Sequence, residues 1–316
     1  MSLSKIERPN IELPNIEQLN KSFAFSNQNQ SLCFKEGKGG IPVIEVINDQ
    51  ASALISMQGA HLLSWKPANE DEVIWLSDDA SFSLSKSIRG GIPICWPWFG
   101  AHETDASFPA HGFARTVFWQ VKDVQQVSAG ETRIRFTLDT KNNNNIKSMW
   151  PADTVAEYQI SISKTLKLEL TTYNNSNKTI TIGQALHTYF SVEDVANTTV
   201  YGLEEKNYLD KTDGFMNKVQ SGPINFNSEV DRVYLQTPDD IIIDDNIRKI
   251  SIKKQGSEST VVWNPWKTVS EKMGDLGTDG YLKMLCVESS NAANDTVNIK
   301  SGEKHTLFVT YDIDSH

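Results

Sequence analysis

The sequence predicts an all-β protein built as one large antiparallel sandwich or barrel. Apolar residues recur with a period of two in many short segments that are rich in β-branched and aromatic residues. Clusters of turn-forming residues separate these segments, for example at residues 174–177 and 211–214. No segment of twelve or more residues shows a helical period, which excludes a fold built on helices.

The predicted strands follow one another along the chain from Ile41 to Ile313. In order they are IPVIEVIN, ASALISMQ, DEVIWLS, TRIRFTLDT, VAEYQISIS, TLKLELTTYN, KTITIGQALHTYF, TTVYGLE, RVYLQT, RKISIKKQ, TVVWNPW, LKMLCVES and HTLFVTYDI. Residues 1–25 are polar and contain two prolines, which predicts a loose arm or a short helix. No linker rich in glycine, serine or proline divides the remainder, so residues 26–316 are predicted to form a single domain.

The composition limits the classes of partner. The chain of 316 residues carries a net charge of −10, which argues against non-specific binding of nucleic acid. An apolar secretory signal and a run of 18 apolar residues are both absent, so the sequence predicts no membrane partner. Cys33, Cys95 and Cys286 are far apart and lack the spacing of metal ligands. These features predict a cytoplasmic protein with free thiols and no metal, and a monomer is the default expectation.

Two residues in apolar segments are candidates for acid–base chemistry. His187 shares one face of its predicted strand with Ala185 and Tyr189. Its imidazole is either a core group hydrogen-bonded to the backbone or a general acid, because histidine transfers protons near neutral pH. Glu288 follows an apolar run, where a carboxylate is either functional or simply emerges at the end of a strand. On neighbouring strands the two would form an acid–base pair that requires no metal.

Two arginines lie in segments dense in glycine, proline and large aromatic residues. Arg89 belongs to SIRGGIPICWPWFG and Arg115 to HGFARTVFW. Each is either a structural arginine or a ligand for phosphate or carboxylate, which the planar guanidinium binds through two parallel hydrogen bonds. Gly90 and Gly91 would allow the backbone to approach the same anion. The chain has no nucleotide-binding glycine motif, so the arginines themselves are the candidates for capturing an anion.

Seven segments occur in the order seen in one protein family. They are RGGIPICWPWFG, PAHGFAR, ALHTYFSVEDV, GLEEKNYLDKTDG, EVDRVY, VVWNPW and CVESSNA. Through them the chain resembles the hexose-6-phosphate mutarotases (glucose-6-phosphate 1-epimerases) of the aldose 1-epimerase superfamily. The resemblance covers residues 26–313, and the combination of RGGIP with HGFAR is specific to the sugar-phosphate branch.

The resemblance implies an antiparallel β-supersandwich of the galactose mutarotase-like type, with a sugar cleft. It implies that His187 is the general acid and Glu288 the general base. It also implies that Arg89, Arg115 and Asp231 bind the substrate, a small-molecule sugar phosphate. No cofactor or metal is implied. The expected reaction interconverts the α and β anomers of a hexose 6-phosphate, with glucose 6-phosphate as the expected substrate.

The chain departs from some family members at Ala110, where they have glutamine directly before HGFAR. The change removes one hydrogen bond to the sugar, and His111 is expected to take part of that role as a substrate-binding residue. In the expected mechanism Glu288 begins as a carboxylate and His187 as an imidazolium. Three alternatives remain open: a non-catalytic sugar-phosphate-binding protein, an aldose 1-epimerase for unphosphorylated hexoses, and a glycoside hydrolase with Asp231 as its second carboxylate.

Overall fold

The computed structural model describes residues 13–141 and 144–315. Its strands are β1 (Phe25–Ser26), β2 (Ser31–Glu36), β3 (Pro42–Ile47), β4 (Ala51–Ser56), β5 (His61–Pro67), β6 (Ile94–Cys95), β7 (Gln120–Ser128), β8 (Glu131–Asp139), β9 (Thr154–Ile162), β10 (Leu166–Asn174), β11 (Ile180–Ile182), β12 (Gln184–Leu186), β13 (Tyr189–Ser191), β14 (Thr199–Tyr201), β15 (Asn207–Asp210), β16 (Met216–Val219), β17 (Ile224–Asn225), β18 (Val230–Leu235), β19 (Ile241–Asp244), β20 (Arg248–Gln255), β21 (Ser259–Asn264), β22 (Met284–Asn291), β23 (Val297–Ile299) and β24 (Lys304–Ser315).

Helices are few and short in the described part of the chain. They are α1 (Ile16–Phe23), α2 (Asn144–Lys147) and α3 (Trp266–Met273). Short 3₁₀ turns cover Lys38–Gly40, Ala114–Thr116, Val195–Asn197, Lys211–Asp213, Gly280–Leu282 and Ala293–Asp295. The two longest helices have eight residues each, in agreement with the missing helical period, and the all-β fold class is confirmed.

The strands form four sheets in the described residues. The first has five strands in the order β1-β2-β3-β4-β5, and the second has nine in the order β17-β14-β19-β20-β24-β10-β9-β8-β7. The third follows the order β16-β15-β18-β21-β22-β12-β6, with β13 also paired to β22. The fourth consists of β11 paired with β23. Val262 and Val287 of the third sheet share one buried core cluster with Leu307 of the second. The buried hydroxyls of Thr188 and Tyr311, 2.6 Å apart, also join these two layers.

The strand register of the third sheet determines which side chains face away from this core. Val261 on β21 lies opposite Glu288 on β22, and Trp263 lies opposite Asp231 on β18. Since side chains alternate between the two faces, all four project from the same face of the sheet. That face is the floor of the site described below.

One predicted strand is wrong and another is interrupted. The segment DEVIWLS forms two isolated bridges and no ladder. The Trp75 amide donates to the Tyr189 carbonyl on β13, but the Trp75 carbonyl accepts from Gly91, which belongs to no strand. The segment KTITIGQALHTYF divides into β11, β12 and β13. At the last interruption the His187 amide donates to the Pro93 carbonyl (3.0 Å) in place of a ladder partner.

The predicted arm packs against the sheet where the structure describes it. Residues 1–12 lie outside the described part. Asn15 caps α1, and the side chain of Asn20 exchanges two hydrogen bonds (2.7 and 2.8 Å) with the backbone of Phe34 on β2. The division into an arm, residues 1–25, and a single domain, residues 26–316, stays a prediction. No helix of the described residues is both long and apolar enough to span a membrane.

Candidate active site

The six site residues predicted from the sequence line a single cleft of about 320 Å³. They are Arg89, His111, Arg115, His187, Asp231 and Glu288. The volume lies at the small end of the range for small-molecule sites. Within the described residues, no group of three or more His, Cys, Asp or Glu side chains is arranged to hold a metal ion.

The centre of the cleft is an imidazole–carboxyl pair. His187 Nε2 lies 3.3 Å from Glu288 Oε1, and the Glu288 side chain is 1% exposed. The ring of Tyr189 stacks on the ring of His187, with centroids 5.0 Å apart and an interplanar angle of 14°. His187 Nδ1 and Glu288 Oε2 are buried and have no hydrogen-bond partner among the described residues. Buried polar atoms are normally paired, so these two unpaired atoms distinguish the pair from ordinary buried polar groups.

Burial controls the protonation of this pair. Burial raises the pKa of the Glu288 carboxyl well above its usual range, and the nearby Asp231 carboxylate acts in the same direction. Burial lowers the pKa of His187 well below its usual range, and His111 and Arg115 add to this effect. The free cleft therefore favours a carboxylic acid beside a neutral imidazole, which differs from the expected carboxylate and imidazolium. Both descriptions hold the same number of protons and differ by one proton transfer across the pair.

The two predicted arginines have different partners. Arg89 Nε donates to Asp275 Oδ1 (3.0 Å), and its Nη1 donates to the Tyr189 hydroxyl (3.0 Å). Arg115 Nη2 donates to the Ala110 carbonyl (2.9 Å), a neutral acceptor. A carboxylate therefore neutralises the charge of Arg89, whereas no ion pair to a carboxylate is formed by Arg115 within the described chain. Sequence reasoning missed Asp275, which carries no motif of its own.

A third cation in the cleft, Lys211, was also missed. Its Nζ lies 2.7 Å from Asp231 Oδ2, and Asp231 Oδ1 is buried without a hydrogen-bond partner in the described part of the structure. Lys211 belongs to GLEEKNYLDKTDG, one of the segments that carry the family resemblance. The sequence analysis assigned no role to this lysine. Asp231 pairs with Lys211, and Asp275 pairs with Arg89. Of the three cations that line the cleft, Arg115 is therefore the one best placed to attract an anion.

The HGFAR segment reaches the cleft through a close backbone contact. Gly112 has a φ of 73°, and a Cβ there would lie 2.0 Å from the Trp96 carbonyl oxygen, so only glycine fits. This contact places the His111 ring 5.9 Å from the ring of His187 and 4.7 Å from that of Phe99. Burial lowers the pKa of His111 to about 3, so its imidazole is neutral near pH 7.

A buried histidine supports the backbone next to Arg89. His61 is 0% exposed, and its Nε2 lies 2.8 Å from the Gly90 carbonyl oxygen. A Cβ at Gly91, where φ is 71°, would lie 2.4 Å from the same nitrogen. The RGG sequence therefore packs directly over an imidazole, which requires glycine at this position.

We expect His61 to make the stability of the protein depend on pH. Burial lowers the pKa of His61 to about 4 from 6.5, so the unfolded chain takes up the proton first as the pH falls. The contribution of neutral His61 is complete above pH 6.5 and is lost as the pH falls to about 4, in total about 3 kcal/mol. Between about pH 7 and about pH 4.5, His61→Gln should lose about 2 kcal/mol less unfolding free energy than the wild type, measured by urea denaturation. If the wild type and His61→Gln lost the same unfolding free energy over this pH range, folding would not lower the pKa of His61.

Comparisons with known proteins agree with the fold and with the family resemblance. Residues 42–312 match the family described as aldose 1-epimerase. A protein of Escherichia coli K12 named "putative glucose-6-phosphate 1-epimerase" is 38% identical over 256 residues, covering 80% of this chain and 84% of its own. The crystal structure of a "putative mutarotase" from Salmonella typhimurium has a TM-score of 0.84 and 31% identity, covering 95% of this chain and 99% of its own.

A more distant structure shares the fold alone. The galactose 1-epimerase of Lactobacillus acidophilus has a TM-score of 0.68 at 13% identity, over 92% of this chain and 99% of its own. The architecture is therefore that of the galactose mutarotase-like proteins, as expected. The chain belongs to the aldose 1-epimerase family, and the resemblance drawn from its motifs is confirmed.

Proposed function

We propose that this protein interconverts the α and β anomers of a hexose 6-phosphate, with glucose 6-phosphate as the expected substrate. One observation carries the proposal: the same cleft holds a buried imidazole–carboxyl pair and an arginine that forms no ion pair with a carboxylate of the described chain. A neutral sugar would give that arginine no counter-ion. Membership of the aldose 1-epimerase family and the names of the sequence relatives support the same reaction.

The proposed chemistry opens and closes a cyclic hemiacetal. The Glu288 carboxylate takes the proton of the C1 hydroxyl while the His187 imidazolium donates a proton to the ring oxygen. The bond between C1 and the ring oxygen then breaks and leaves an aldehyde at C1. Rotation about the C1–C2 bond presents the other face of the aldehyde, and the reverse proton transfers close the ring. Each positioned proton transfer contributes about 10²–10⁴-fold.

The neutral pair favoured in the free cleft is the same form that the site reaches after ring opening. At that point Glu288 holds the proton from the C1 hydroxyl, and His187 has given its own proton away. Binding of a phosphate dianion stabilises a nearby imidazolium. Hydrogen bonds from sugar hydroxyls stabilise the carboxylate. We propose that substrate binding in this way returns the proton from Glu288 to His187 and prepares the ring-opening form.

The remaining residues of the cleft are assigned to binding. Arg115 is the principal phosphate ligand, since its charge is free of an ion pair within the described residues. Arg89 is the secondary ligand, because it retains three of its five N–H groups after its bonds to Asp275 and Tyr189. Asp231 accepts a sugar hydroxyl at its unpartnered Oδ1. His111, as a neutral imidazole beside His187, binds a second hydroxyl.

Two-dimensional exchange NMR tests the reaction directly. Glucose 6-phosphate and free glucose are each equilibrated and measured with and without the purified protein. The proposal expects the exchange between the α and β anomers to be accelerated far more for the phosphorylated sugar than for free glucose. Equal acceleration of both sugars would keep the chemistry but contradict the role of the arginines in selectivity. Line broadening without faster exchange would identify a sugar-phosphate-binding protein instead.

We further propose that the protein acts as a monomer in the cytoplasm, on a small molecule, without a nucleic-acid or membrane partner. Its net charge of −10 supports the exclusion of nucleic acid. The absence of a cofactor and of a metal remains a prediction from the sequence. Light scattering checks the oligomeric state, since a mass well above 35.4 kDa would contradict the monomer.

A further inference from the structure

We infer that Asp275 determines how tightly this cleft holds phosphate, by acting as a resident anion that competes with the substrate phosphate for Arg89. The inference rests on the proposed function of the cleft. It goes beyond that function by naming a residue that opposes phosphate binding.

The contact between Asp275 and Arg89 is a short ion pair in a partly enclosed place. Asp275 Oδ1 lies 3.0 Å from Arg89 Nε, and the two side chains are 30% and 25% exposed. The Tyr189 hydroxyl accepts from Nη1 of the same guanidinium and holds it against the cleft wall. An anion that approaches Arg89 therefore meets a pair with no net charge. A substrate phosphate must displace this carboxylate or share the guanidinium with it.

The chain around Asp275 holds the carboxylate at this place. Gly274 and Gly277 adopt φ values of 72° and 82°, so the backbone turns sharply on both sides. Leu276 is 1% exposed and packs in the buried cluster that contains Tyr189. The backbone is thus anchored by its apolar neighbour, so release of Arg89 requires the Asp275 side chain itself to move.

The consequence is specific to phosphorylated ligands. A carboxylate close to a bound phosphate repels it, and the repulsion weakens the binding of substrate and product alike. Binding that is equal in the ground state and the transition state lowers KM without raising kcat, so its weakening costs the chemical step nothing. It also speeds release of the phosphorylated product. A free hexose places no charge near Arg89 and is unaffected.

Asp275→Asn separates charge from orientation, because asparagine keeps an oxygen that accepts from Arg89 Nε while losing the negative charge. We expect the dissociation constant of inorganic phosphate, measured by titration calorimetry on the full chain, to fall about fivefold. The KM for glucose 6-phosphate should fall by a similar factor, and exchange of free glucose should not change. In an Arg89→Met background the gain should be clearly smaller, because the competition for the guanidinium is gone and only the direct repulsion between Asp275 and phosphate remains.

Asp279→Asn is the matched control. Asp279 is exposed, belongs to the same segment and makes no ion pair with Arg89 among the described contacts, so its replacement removes one negative charge at a different place. Phosphate binding by this variant should equal that of the wild type. An equal gain in both variants would show a general charge effect and overturn the inference.

Two other results would also overturn the inference. Weaker phosphate binding by Asp275→Asn would mean that the carboxylate orients Arg89 for the phosphate. A failure of wild type and variant alike to bind phosphate would remove the competition altogether. Because the probe is inorganic phosphate, this outcome is read independently of catalysis. The proposed function fails by a different measurement, the absence of anomer exchange in the wild type.

Discussion

Replacing Glu288 with glutamine should slow the exchange of glucose 6-phosphate anomers by about 10²–10⁴-fold, the contribution of one positioned proton transfer. The amide keeps the shape of the carboxyl group but cannot exchange a proton with the C1 hydroxyl. Since the replacement removes no positive charge, phosphate binding should be largely retained. Exchange NMR at saturating substrate gives the rate, and calorimetry with inorganic phosphate gives the binding.

Glu169→Gln is a suitable control for this replacement. Glu169 lies on β10 in the nine-stranded sheet, where its carboxylate accepts from Gln159 (3.1 Å), and it does not line the cleft. This variant should exchange the anomers at the wild-type rate. A wild-type rate in Glu288→Gln would instead rule out the carboxyl as an acid or base. Thermal unfolding of both variants shows whether a slow rate reflects a damaged fold.

Replacing Arg115 with methionine should raise the KM for glucose 6-phosphate by about 10- to 100-fold, the value of a hydrogen-bonded charge pair. The exchange of free glucose should change little, because a neutral sugar has no partner for the guanidinium. Arg89→Met should have a smaller effect, since Asp275 already neutralises Arg89 in the free cleft. Measuring the KM of each variant for glucose 6-phosphate and for free glucose shows which replacement raises the KM more.

A different result would assign Arg115 a structural role. Its hydrogen bond to the Ala110 carbonyl (2.9 Å) joins the two ends of the HGFAR turn. If that bond were its main contribution, both sugars would lose the same factor on replacement. A larger effect for Arg89→Met than for Arg115→Met would contradict the assignment of Arg115 as the principal phosphate ligand.

Much of the fold and many residues of the cleft can be predicted from the sequence. The period-two patterns identify most strands, because each strand of a half-buried sheet alternates between core and surface. They fail for DEVIWLS, which forms only two isolated bridges, and they miss β2, β5 and β7. The six predicted site residues lie in segments with unusual composition or apolar strands, and the structure places them around one cleft.

The sequence by itself determined the all-β class, the family and the positions of the candidate groups, because these depend on local pattern and on motifs in order. The tertiary structure alone decided which cations of the cleft form an ion pair with a carboxylate. Asp275 contacts Arg89, and Lys211 contacts Asp231, only in the folded chain, and nothing local to either cation indicates its partner. Burial likewise shifts the pKa of His187 downward and that of Glu288 upward, which favours the neutral form of the pair in the free cleft. Desolvation and ion pairing depend on which groups lie within a few ångströms of each other in space. They are therefore set by the folded structure and cannot be deduced from the order of residues along the chain.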